Sequence, residues 1–369
     1  MRLIKGLLTP ELKNHVGNNS VAQADAFPVR SFRQLTESVA HLSYLNMDYH
    51  LFFRGQGRDY LNKAGSSTIY PLIYRGERVP QDLIDLRFEI LKSAAARLCN
   101  AFEADGIEGF KDVRKRRYIQ WSILQHYEVC PTPLLDLSQS LRVACSFAFL
   151  NQDSNAPHIF LFGLPYVTNR VSINSEHDLV NIRLLSICPP AALRPHFQEG
   201  YLAGTDEVTT HYDNKSDLDF NSRLIAKFRL EGGSRFWSGG FSQLSREVLY
   251  PPKDKVEKVC HRIKEDVAID SASPGKVGEF LQEWTKLEST ILTMARSRQQ
   301  QRQVYTALEA LNTLKRTYVL PDELLNQLHQ LRELRNQLVH SPAEVLSKQA
   351  IDGLNQIYQA INQLQTMLL

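Results

Sequence analysis

DYHLFFRGQ (48–56) and QHYEVCPTPLLDLSQSLRVACSFAFL (125–150) decide how this chain is read. The first is a short apolar and aromatic run ending on Arg54, Gly55 and Gln56, the pattern of a strand whose tip carries polar chemistry. Gly55 and Gly57 let backbone approach another group closely, and Arg54 offers a planar fork of donors for phosphate or carboxylate. The second stretch sets Gln125, His126, Tyr127, Thr132, Asp136 and Ser138 ahead of the apolar helical run SLRVACSFAFL. A third segment, Arg194-Pro195-His196-Phe197-Gln198-Glu199-Gly200-Tyr201, again interleaves polar donors with aromatics.

Working outward, strand-like runs are expected at 48–55, 158–164, 183–188, 224–230 and 246–250, and helices at 82–102, 113–127 and 253–266. Interleaved strands and helices predict an α+β domain with a mixed sheet over 30–268, preceded by an N-terminal extension, 1–29. DSASPGK (270–276) lies in a small, polar stretch that reads as a linker, 269–279. Beyond it the composition turns to Leu, Gln, Ala, Arg and Glu, which predicts an all-α four-helix bundle over 280–369, with helices near 280–298, 300–317, 321–340 and 343–367. Leu324, Leu328, Leu331, Leu334 and Leu338 fill one face of the third of these, which needs partner helices to cover it.

The 369 residues are 43% hydrophobic, and 43 basic against 40 acidic side chains leave a net charge of +3. That excludes a protein held on nucleic acid or anionic membrane by bulk charge, so polynucleotide chemistry has to come from a local site. Five separated cysteines give neither a disulfide framework nor a zinc pattern. No apolar stretch suits a signal peptide or a bilayer span, which predicts a soluble cytoplasmic protein with no membrane partner. Two further segments stand out: the basic cluster KDVRKRR (111–117), and the glycine- and aromatic-bearing EGGSRFWSGG (231–240), a lid or recognition loop on this reading.

Taken together, F-R-G-Q at 53–56, P-L-I-Y-R at 71–75, Q-H-Y at 125–127, P-T-P-L-L-D at 131–136 with Ser138, and R-P-H-F-Q-E-G-Y at 194–201 resemble the FRG domain family. LSREVLYPPKDKVEKVCHRIK looks like that family's closing strand and helix. Glu128 departs from it, standing where the family usually has glycine. The resemblance implies a bacterial or phage-conflict protein, of toxin or antiviral-defence type, with a pocket formed by Phe53, Arg54, Gly55, Gln56, Gln125, His126, Tyr127, Thr132, Asp136, Ser138, Arg194 and Gln198. The order arginine, hydroxyl, Gln/Glu is also similar to that of the Arg–Ser–Glu ADP-ribosyltransferases. That likeness would give Arg54 the dinucleotide, Ser138 or Thr132 the nicotinamide side, and Gln198 or Glu199 the developing ribose cation, with NAD as cofactor.

Leu334-Arg335-Asn336-Gln337-Leu338-Val339-His340, at the end of the third helix of the C-terminal module, resembles the HEPN family of helical bundles, whose nuclease members carry arginine, a polar residue and histidine in this arrangement. The resemblance implies metal-independent RNA cleavage with no cofactor. His340 would transfer protons, Arg335 would hold the phosphate and Asn336 would orient either. Arg335 and His340 lie five apart and point to different sides of a helix, so a site needs either a loosened helix end before Pro342 or a homodimer. The leading expectation is therefore a ribonuclease module regulated by an FRG domain. Its partners would be RNA, a second copy of the chain, and an antitoxin or phage trigger protein. The alternatives are an NAD-using FRG pocket and a non-enzymatic binding and dimerisation protein.

Overall fold

The computed structural model describes the chain apart from residues 77–78, 80, 151–156, 207–211, 213, 299–305, 318–319, 341–352, 354–355, 362 and 365–369, and apart from the side chains of 82, 268–279, 298 and 336–340. It divides into two compact units, Met1–Ile84 with Ala94–Ile263, and Asp85–Ser93 with Lys264–Leu369.

Eight strands make one sheet: β1 (Phe27–Val29), β2 (His50–Gln56), β3 (Leu135–Ser138), β4 (His158–Leu164), β5 (Val171–Asn174), β6 (Leu179–Arg183), β7 (Gly200–Gly204) and β8 (Leu224–Leu230). Their order is β1-β8-β4-β2-β3-β7-β6-β5, with β1 parallel to β8 and every other neighbouring pair antiparallel. The helices are α1 (Pro10–Val16), α2 (Phe32–Leu45), α3 (Gln81–Ala104), α4 (Phe110–Lys115), α5 (Arg117–His126), α6 (Leu141–Leu150), α7 (Leu184–Ile187), α8 (Arg194–Gln198), α9 (Arg246–Leu249), α10 (Lys255–Arg298), α11 (Ala307–Arg316) and α12 (Asp322–His340). Among the described residues no helix is long and apolar enough to cross a membrane.

The period-2 alternation of the strands sorts their side chains into two cores. Leu51, Phe53, Ile159, Leu161 and Phe228 face α2 and α6, while Phe52, Leu137, Phe160, Phe162 and Tyr201 pack on the opposite side. Every residue of β4 is buried, as expected of a strand covered on both faces. On the first face α6 crosses β2 at Gly55, where a Cβ would lie 1.9 Å from the Ala144 carbonyl oxygen. That is the close backbone approach the FRGQ glycine suggested.

Several expectations need correction. RLLSIC does not form a strand: β6 ends at Arg183 and Leu184–Ile187 make the turn α7. Leucine favours helix, and Pro189 and Pro190 then stop it. REVLY is likewise the helical turn α9, begun at Ser245 with Glu247 in its first turn and halted before Pro251. The helix expected over 113–127 is two, broken at Arg116, whose backbone is extended. The 1–29 segment is part of the sheet domain, since β1 pairs with β8 and Ile4, Leu12 and Val29 lie in the α6-side core. Residues 269–279 do not form an irregular linker; their backbone belongs to the 44-residue α10. Pro274 removes one helical donor, but Val256, Val259 and Ile263 before it and Phe280, Trp284 and Leu287 after it are buried and hold the helix on both sides.

In the second unit the end of α10, α11, α12 and a helical stretch at 356–361 share one apolar core, built on Phe280, Trp284, Leu311, Leu314, Leu328, Leu331, Ile357 and Leu364. Leu324, Leu328 and Leu331 of the leucine stripe are buried and Leu334 packs beside them, whereas the Leu338 side chain lies outside the described residues. The helix expected from 300 is described from Ala307, where Thr306 and Glu309 form a reciprocal capping box.

If α6 meets β2 through backbone at Gly55, Gly55→Ala cannot be absorbed by a side-chain shift. Denaturant unfolding of this variant is expected to show a loss of about 3 kcal/mol or more. A change within experimental error would contradict this packing.

Candidate functional site

β2, β3 and the end of α5 bring the sequence-singled residues to one cavity of about 330 Å³. Phe53, Arg54 and Gly55 enter from β2, Asp136 and Ser138 from β3, Gln125 and His126 from α5, and Arg194 and Gln198 from α8. Arg75, Phe147 and Tyr250 complete much of the wall.

Arg54 Nη1 donates to the Asp136 main-chain oxygen at 2.7 Å, which fixes the guanidinium beside the carboxylate. Gln125 Nε2 donates to Asp136 Oδ2 at 2.6 Å, and its Oε1 accepts from the buried Thr132 hydroxyl, so the amide orientation is set. His126 Nδ1 stands 3.8 Å from Asp136 Oδ1, an electrostatic contact rather than a hydrogen bond. His126 Nε2 and Arg54 Nε are both buried with no hydrogen-bond partner among the described residues. Burial would raise the Asp136 carboxyl, but His126, the Arg54 charge and the Gln125 hydrogen bond together hold it below the usual carboxylate value. Burial, and then repulsion from Arg75, lower Arg54 to about 10, which leaves it cationic at neutral pH.

Other expected site residues have structural duties. Ser138 Oγ donates to the Gln198 carbonyl at 3.0 Å, and Gln198 Nε2 donates to the Leu249 carbonyl at 2.8 Å. Glu199 is exposed, in a left-handed conformation just past α8. Ser138 and Gln198 thus line the cavity with Arg54 while each gives a hydrogen bond to a main-chain carbonyl. Arg194 is a clamp: its guanidinium donates to the His126 carbonyl at 2.9 Å and to Glu257 Oε1 at 2.5 Å, and lies 5.0 and 4.6 Å from the Tyr127 and Tyr250 ring centres. Tyr127, Thr132 and Gln56 do not line this cavity; Gln56 lines a neighbouring cleft.

Asp254 escaped the sequence reading. Only 1% exposed, it accepts from the Tyr127 hydroxyl and from the backbone of Leu193, Arg194, Val256 and Glu257. The signal was present in Asp254-Lys255-Val256-Glu257, an N-cap acid followed three residues later by glutamate. Glu128 adopts φ 55°, the left-handed region, which explains why glycine suits this position in the family pattern.

Three further segments that the sequence singled out lie elsewhere in the chain. The EGGSRFWSGG segment is no lid, because Phe236 and Trp237 are buried against Phe32 and Phe149. In the basic cluster, Arg114 pairs with Glu103 and Arg117 lies over Trp121 at 4.7 Å, while Lys111, Lys115 and Arg116 are exposed. Arg335 is half-buried on α12, which also carries Asn336 and His340; the side chains of those two lie outside the described residues.

A carboxyl held below its ordinary 3.8 stabilises the fold above that pH and loses the contribution as pH falls through the lowered value. The unfolding free energy of wild type minus that of Asp136→Asn is therefore expected to be at full size near about pH 5 and to narrow below about pH 4. A difference that grows on acidification would reverse the assigned electrostatics.

Among curated proteins and solved structures, none matches this chain. A family model described as FRG domain matches residues 49–156, the stretch that supplies Arg54, Gln125, His126, Asp136 and Ser138. The pocket is thus built mainly by an FRG domain, present at residues 49–156.

Proposed function

We propose that the pocket is the working site of this protein, binding a phosphate-bearing small molecule of the nucleotide class and moving a proton on it through His126. One observation carries the reading: Arg54, His126 and Asp136 converge on one cavity while Arg54 Nε and His126 Nε2 are buried without a protein partner. An unsatisfied buried polar group costs about 1–3 kcal/mol, and both of these belong to residues that line the one cavity, which suits a ligand that satisfies them. Three arginines, Arg54, Arg75 and Arg194, line the cavity against two carboxylates, Asp136 and Glu128, which favours an anion. His126 then stands where an imidazole can give or take a proton from a bound hydroxyl, with Asp136 steadying the charged ring.

NAD belongs to the ligand class, and ADP-ribosyl transfer or NAD cleavage remains a form of this reading. In that form His126 and Asp136, rather than Ser138 and Gln198, are the active groups. The second reading is a metal-independent ribonuclease in the C-terminal unit, using Arg335, Asn336 and His340 in a homodimer and restrained by the FRG domain. Helical segments sharing one core are the setting the R-N-x-x-x-H string would require. A role in conflict with phage, with RNA and an antitoxin or trigger protein as partners, goes with that reading.

Calorimetric titration with ribose 5-phosphate is expected to show binding that weakens at least about tenfold in Arg54→Gln and at least about fivefold in His126→Ala. Turnover of NAD, where it occurs, should fall about 10²–10⁴-fold in His126→Gln. Binding indifferent to Arg54 sinks the pocket reading. RNA cleavage in EDTA that survives Arg54→Gln and disappears in His340→Ala would put the second reading in its place.

A further inference from the structure

Beside the pocket lies a second cavity of about 700 Å³, and Arg75 lines both. Its walls differ in kind from those of the pocket. Tyr60, 47% exposed with the Arg58 guanidinium 4.7 Å from its ring centre, and Tyr70 line it with aromatic rings, and Lys215 Nζ lies 4.8 Å from the Tyr70 ring centre. Gln56 also lines it: the residue is 8% exposed, and its Oε1 is buried with no hydrogen-bond partner among the described residues. The cleft therefore offers ring faces, cations and one buried acceptor.

The wall that carries Tyr60 is held rather than loose. Leu61 and Ser67 pair as an isolated bridge, and Asn62 Oδ1 accepts from the backbone of Ala64 at 2.9 Å and Ser66 at 3.0 Å. Below them Asp59 Oδ2 accepts from Ser67 Oγ at 2.8 Å and from the buried Lys227 Nζ at 3.0 Å. A preformed wall spares a ligand the entropy of ordering it. Arg54 and Gln56 are two apart on β2 and so lie on the same face of the strand, one lining the pocket and the other the cleft.

We infer that pocket and cleft are two halves of one nucleotide site, with the phosphate held between Arg54 and Arg75 and the base lying on Tyr60, its exocyclic amine donating to Gln56 Oε1. This rests on the reading of the pocket as a phosphate-ligand site and adds what the ligand must carry: a planar ring on the Arg75 side of the phosphate. Stacking on an aromatic side chain and a satisfied buried acceptor both favour a base over a bare sugar phosphate.

The test compares ribose 5-phosphate with AMP, GMP, CMP and UMP by calorimetry on the full chain. At least one nucleotide is expected to bind about tenfold or more tightly than ribose 5-phosphate. That advantage should disappear in Tyr60→Ala, survive in Tyr60→Phe and shrink in Gln56→Leu, with ribose 5-phosphate affinity unchanged in all three. Nucleotides binding no more tightly than ribose 5-phosphate would overturn the inference and leave the pocket reading standing. An advantage unaffected by Tyr60→Ala and Gln56→Leu would overturn it too. Binding of neither class would remove the pocket reading, and this inference with it.

Discussion

The candidate site depends on a carboxylate that is not in it. Asp254 is almost fully buried, and five donors from three separate stretches of chain converge on its two oxygens. A carboxylate taken out of water without partners is very costly, so its burial holds only while these segments stay together. Tyr127 fixes the turn that follows His126, Leu193 and Arg194 fix the start of α8, and Val256 and Glu257 fix the start of α10. The Arg194 side chain then returns to the His126 carbonyl, which ties the imidazole's backbone to the same centre. Losing Asp254 would leave several buried donors unsatisfied, each at about 1–3 kcal/mol.

Upon that frame the site itself is assembled from opposed charges. Arg54 is cationic despite its burial, because Asp136 offsets part of the cost that burial and Arg75 impose. Asp136 in turn is kept ionised by Arg54, His126 and Gln125. The polar residues around them divide by what they bond. Ser138, Gln198 and Arg194 spend their hydrogen bonds on main-chain or carboxylate partners within the fold, whereas Arg54 Nε and His126 Nε2 have no such partner.

Much of this was legible in the chain. DYHLFFRG, HIFLFGL and LIAKFRL contain the strands β2, β4 and β8 because apolar and aromatic residues predominate in them, and SLRVACSFAFL is the helix that Gly55 admits. The three polar segments do meet, since each lies at or near the end of an element and contributes residues to the lining of one cavity. Short runs misled where neighbours decided the outcome: RLLSIC and REVLY read as strands but close as helical turns before prolines. The continuity of α10 across Pro274 was hidden because buried anchors far to either side set it. The separation of Gln56 from the pocket, and the duties of Ser138 and Gln198, depend on partners that no local pattern names.

The central claim is that His126 faces a bound phosphate ligand. Histidine ring resonances followed by NMR during titration with ribose 5-phosphate test it most directly, with His126 assigned by the signal lost in His126→Gln. The account predicts that the His126 signal moves in wild type and stays fixed in Arg54→Gln, while the exposed His196 is unmoved in both. A His126 resonance indifferent to saturating ligand, or one that shifts equally without Arg54, would contradict it.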